Sequence, residues 1–97
     1  MTDINGYPSP ELLRYIKRYD IIKNSIEPLI KTILENWHYP EYARLNGNQL
    51  ELHTVGWSGN EDIIAALMEN KVFWMMCWVK SERGGHYYFE LPKREGS

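Results

Sequence analysis

A single cysteine, Cys77, stands in a chain of 97 residues, so no internal disulfide can form. An excess of one charge is also lacking, since 11 basic against 13 acidic residues give a formal net charge of -2. That balance excludes a broad electrostatic pull toward DNA, RNA or anionic lipid, and direct nucleic-acid binding is not expected. The longest unbroken apolar run, Val72 to Val79, falls far short of the ~20 residues that span a bilayer, so no membrane partner is expected. The opening MTDINGYPSP has neither the charged nor the apolar region of a signal peptide, and a cytoplasmic setting is the expectation. Close ligand pairs such as C-x-x-C or H-x-x-x-H are missing. His38, His53 and His86 fall in three separate elements, so no metal or other cofactor is expected.

What is present is a globular composition, 43% hydrophobic and 13% aromatic. The length suits one domain that buries ~60–70% of its unfolded surface. That domain is expected over 9–92, with a loose leader over 1–8 and a polar tail over 93–97. Ser9 offers an N-cap hydroxyl, Pro10 suits the first helical position and Glu11 complements the helix dipole. Leu12, Leu13, Ile16, Tyr19 and Ile22 then recur at helical spacing above a solvated face of Arg14, Lys17, Arg18 and Lys23. Pro28 demands a break near 24–26, where Asn24 or Ser25 could cap a second helix. Ile26, Leu29, Ile30, Ile33, Leu34 and Trp37 continue the spacing until His38-Tyr39-Pro40. One kinked helix and a helix pair both fit this pattern.

From Tyr42 the period becomes two, and Asn46-Gly47-Asn48 marks a hairpin with Arg44, Gln49, Glu51 and His53 on its solvated face. Ser58-Gly59-Asn60-Glu61 reads as a capping box that opens a helix with the stripe Ile63, Ile64 and Leu67, ending near Asn70 and Lys71. Val72 to Lys80 is apolar on both alternating faces and reads as a strand that wants cover on both sides. Ser81 to Gly85 reverses it into a second strand from His86 to Leu91. The fold class is therefore α+β, a four-stranded antiparallel sheet with helices mainly on one face. The strand order is not fixed by the sequence.

Two segments carry candidate recognition chemistry. GWSGNE opens a helix whose free amides could hold a phosphate or carboxylate, although Ser58 and Glu61 would already satisfy them, and it lacks the length and lysine of a Walker A loop. SERGGHYYFE sets a cation beside two glycines and a row of aromatics, a combination suited to close approach. The candidate partner- or ligand-binding residues are Trp57, Asn60, Arg83, His86 and Tyr88, and no residue is assigned a catalytic role. Turn chemistry explains the same glycines, and His86 at a strand start reads more simply as a structural hydrogen-bonding residue. Cys77, inside an apolar run, reads as inert core rather than as a nucleophile. Trp74, Met76 and Trp78 pack beneath helices or, if a sheet face is bare, form a partner or self-association surface, a homodimer included.

Taken together, LHTVGWSGNEDIIAAL, FWMMCW and KSERGGHYYFEL resemble a small family of proteins encoded by bacteriophages and prophages. The resemblance covers about residues 50–91 and implies a bacterial cytoplasm, with no catalytic residue carried over. It implies a phage accessory protein that binds and modulates a host protein or defence complex, with anti-CRISPR or other anti-defence inhibition as the most concrete form. The alternative expectation is a small-ligand or nucleotide binder with an aromatic pocket near Trp57, Arg83 and Tyr88. An enzyme using His53, Glu61 or His86 ranks last.

Overall fold

The computed structural model describes residues 7–92. The expected leader, apart from Tyr7 and Pro8, and the expected tail lie outside these residues. Helix α1, Pro10–Arg18, starts as its sequence dictates: Ser9 Oγ accepts a hydrogen bond from the Leu12 amide at 3.1 Å, and Pro10 occupies the first turn. It stops earlier than the apolar spacing suggests. The Asp20 carboxylate accepts from the amides of Ile22 and Lys23 at 2.9 and 3.1 Å, an Asx-type turn that competes with helix. Ile22 is consequently 67% exposed and does not belong to the buried stripe. Helix α2, Glu27–Asn36, follows as a separate element. Ser25 Oγ accepts from the Glu27 amide at 3.3 Å, but Ile26 rather than Asn24 or Ser25 stands at the N-cap.

A 3-10 turn, Pro40–Tyr42, leads into β1, Ala43–Asn46, and β2, Gln49–His53. Gly47 takes φ 63° at the first position of the two-residue turn, where a side chain would be strained. Helix α3, Ser58–Glu69, runs into α4, Lys71–Cys77, which passes directly into β3, Trp78–Glu82, and then β4, His86–Glu90. The sheet order is β1-β2-β4-β3, all antiparallel. Leu50 pairs with Phe89 and Leu52 with Tyr87 on one face. That face meets Leu12, Ile16, Leu29, Ile33, Ile63, Leu67 and Phe73 from the helices in one core. On the other face Glu51 pairs with Tyr88 and His53 with His86, and no described helix covers them.

Two local expectations are corrected. The stretch from Val72 to Cys77 is helix, and only Trp78 onward is strand. A strand apolar on both faces needs cover on both, and this sheet is covered on one. As a helix the segment needs only one buried side, which Phe73 and Cys77 supply. Asn70 makes the switch: it ends α3, and its Oδ1 accepts from the Phe73 amide at 3.2 Å to cap α4. Its Nδ2 donates to the carbonyls of Ile16 and Tyr19, both at 2.9 Å, closing the open end of α1. The capping box at Ser58 is the second correction. Trp57 stands at the N-cap of α3 with no side-chain cap bond, and Ser58 Oγ donates instead to the Tyr7 hydroxyl at 3.1 Å.

Candidate functional site

The sequence-predicted site residues divide between two places. Trp57 and Asn60 build a corner where the chain leaves α2, leaves β2 and enters α3. Asn60, 1% exposed, accepts from the His38 amide and donates to the His38 carbonyl, both at 2.9 Å. Trp37 Nε1 donates to the His53 carbonyl at 3.2 Å. The His38 ring stacks on Trp57 at 4.5 Å, and Tyr7 lies 4.9 Å from the same indole. Backbone strain gathers here. Tyr39 and the β-branched Val55 hold φ of 62° and 48°, which side chains seldom adopt. Two buried polar atoms, Thr54 Oγ1 and Trp57 Nε1, have no hydrogen-bond partner among the described residues. Each lies against a glycine: a Cβ at Gly59 would come within 2.7 Å of Trp57 Nε1, and one at Gly85 would collide with Thr54 Oγ1. Gly59 and Gly85 therefore have packing reasons, whereas Gly56, with open space around it, is fitted by its positive φ of 73°.

His86 and Tyr88 lie on the bare sheet face. His53 Nδ1 and His86 Nδ1 are 2.7 Å apart, and Glu51 Oε1 is 3.4 Å from His53 Nε2. Tyr88 donates to Glu82 at 2.9 Å, which holds the Glu82 carboxyl below its usual range and the Tyr88 phenol above its own. Lys80 adds to the Glu82 effect from 3.7 Å and sits over the Tyr88 ring. Trp57 and Tyr88 thus take different ring partners, and the aromatic pocket expected between Trp57, Arg83 and Tyr88 has no shared wall in their contacts. Arg83 is exposed in the turn between β3 and β4, with no carboxylate of the described residues in ion-pair reach. A groove of about 640 Å³ between α2 and β1, walled by Pro28, Ile30, Leu34 and Leu45, involves none of the predicted residues.

A third surface was only half visible in the sequence. Trp74, expected on a strand face with Met76 and Trp78, instead stacks on Trp78 at 5.8 Å and packs edge-on to Phe89. The helical phase of α4 sends Val72, Met75 and Met76 outward, with Met75 80% exposed. Val79 sits at a register shift in β3, half-exposed, and lines one shallow cavity with Met76, Trp78, Leu91 and Pro92. The result is an apolar ridge beside an edge strand. Cys77 lies beneath it, buried, and burial pushes its thiol up to about 11. No described helix is long and apolar enough to cross a membrane. No family model, curated protein or solved structure matches the chain.

Proposed function

We propose that the chain is a non-enzymatic binding protein that acts by contact with another protein through the α4–β3 edge. The observation that carries this reading is the exposure of Val72, Met75, Met76, Trp78 and Val79, large apolar side chains close together along α4 and β3, of which Met76, Trp78 and Val79 line one shallow cavity. Leaving them in water opposes folding economy, and contiguous patches of this kind mark partner surfaces. Methionine suits such a role because its unbranched, polarizable chain adapts to the surface it meets. β3 is an edge strand, but Lys80 and the register shift at Val79 oppose indiscriminate strand addition. Contact therefore runs through side chains, with Arg83 at the far end of the same edge as a charged anchor.

A partner in the bacterial cytoplasm, a host protein or defence complex, is the setting that the phage resemblance adds to this reading. Cys77 is disfavoured as a nucleophile, because its thiol is buried and held protonated at neutral pH. The test replaces Met75 and Val79 together by glutamate, whose charge a dry apolar contact cannot accept. Partner binding, read by co-purification with a tagged chain, should be lost while the denaturation midpoint is kept. Retained binding in the folded double variant would remove the ridge as the contact.

A further inference from the structure

The order β1-β2-β4-β3 makes β1 the sheet margin opposite the α4–β3 contact. We propose that β1 and the groove beside it bind an extended segment of another protein as a further strand, with an apolar side chain in the groove and a basic side chain two positions to either side. The hydrogen-bond phase of the hairpin leaves β1 able to take such a strand. The Leu91 amide donates to the Asn48 carbonyl and the Thr54 amide to the Gly85 carbonyl, so Leu50 and Leu52 between them turn their main-chain groups toward β4. Gln49 and Glu51 are left to bond β1, through their partners Asn46 and Arg44. Ala43 and Leu45 therefore turn their main-chain groups outward. The Ala43 amide is taken by the Pro40 carbonyl, which leaves the Ala43 carbonyl and both main-chain groups of Leu45 for an incoming strand. Unlike β3, β1 pairs in unbroken register.

Leu45 pairs with Leu50 on the helix-covered side of the sheet, yet it is 37% exposed, because the groove of about 640 Å³ opens between it and α2. A strand laid along β1 turns every second side chain to the side of Leu45. The side chain opposite Leu45 thus enters the groove, against Pro28, Leu34 and Leu45 itself. Charge selects its neighbours. Glu27, Lys31 and Glu35 follow one another along the groove wall at successive helical turns, and none forms an ion pair with a described residue. The sum of the row is negative, and its carboxylates stand at the two ends, ~12 Å apart along the helix axis. In an extended strand, the residues two before and two after the central one are ~13 Å apart. Basic side chains at those positions each meet a carboxylate, while the central side chain lies along the aliphatic stem of Lys31. This surface is separate from the α4–β3 contact and does not rest on it.

The probe is a synthetic peptide, Ser-Lys-Thr-Leu-Thr-Lys-Ser, titrated into the full isotope-labelled chain and followed by NMR. Its control carries glutamate in place of both lysines. In the unaltered protein, amide shifts should move along α2 and β1, and the outward Leu45 amide should exchange with solvent several-fold more slowly once the peptide is bound. The control peptide should bind about ten-fold more weakly, since each of its carboxylates meets another. Glu27→Lys and Glu35→Lys together, both at exposed positions, should reverse that preference. Absence of any shift in β1, shifts centred on α4 and β3, unchanged Leu45 exchange with the peptide bound, or a lysine preference that survives in the folded double variant would each overturn the assignment.

Discussion

Asn70 does more for this molecule than its place near a helix end suggests. One carboxamide caps α4 and closes two carbonyls at the end of α1, all from a buried position. Asn70→Ala should cost about 2–4 kcal/mol, the sum of a lost cap and newly unsatisfied buried groups, read from the denaturant midpoint. Ser58→Ala, which removes an exposed hydrogen bond to the Tyr7 hydroxyl, should stay within about 0.5 kcal/mol. The reverse order would restore the capping box. Cys77 gives a pH signature. Its folded thiol is raised from 9.0 to about 11, so the folded state prefers the protonated form. That contribution is fully present below pH 9 and is lost as the pH rises through about 11, because the unfolded thiol ionises first. Thermal unfolding followed across this window should show a larger loss in the native chain than in Cys77→Ala, which keeps the raised phenols of Tyr19 and Tyr88.

Among the elements, α4 separates what the sequence could show from what it could not. Helix starts and turns were legible where single residues carry distinct chemistry: Ser9-Pro10 opens α1, Gly47 turns the first hairpin, Asn70 ends α3. The run from Val72 to Val79 was not, because a stretch apolar at every position has no period from which to choose helix or strand. Tertiary context decides it, through the Asn70 cap and a sheet with one covered face. The histidine pair stayed hidden for a related reason: alternation placed His53 on the solvated face, but no local signal pairs β2 with β4. The helix can be checked by its phase. Phe73→Ala should cost about 3–5 kcal/mol and Met75→Lys less than about 0.5 kcal/mol, by chemical denaturation. In a strand these two positions would share a face, and both substitutions would be costly.

For the molecule as a whole, the one-sided sheet produces both of its unusual surfaces. Helices crowd the Leu50–Leu52–Phe89 face, so polar and imidazole side chains occupy the other, and α4 at the margin leaves Val72, Met75 and Met76 on its outer side exposed. Arg83→Ala at the end of the same edge should leave stability within about 0.5 kcal/mol and weaken partner binding. The most direct measurement is photo-crosslinking in a bacterial cytoplasm from a reactive side chain at position 75, with a control at Glu41, which is exposed outside the ridge. A single adduct with one unlike protein from position 75, absent from position 41 and abolished by Val72→Glu in the folded chain, is the expected result. No adduct from position 75, an adduct of twice the chain's own mass, or equal yield from both positions would contradict recognition of another protein through the α4–β3 edge.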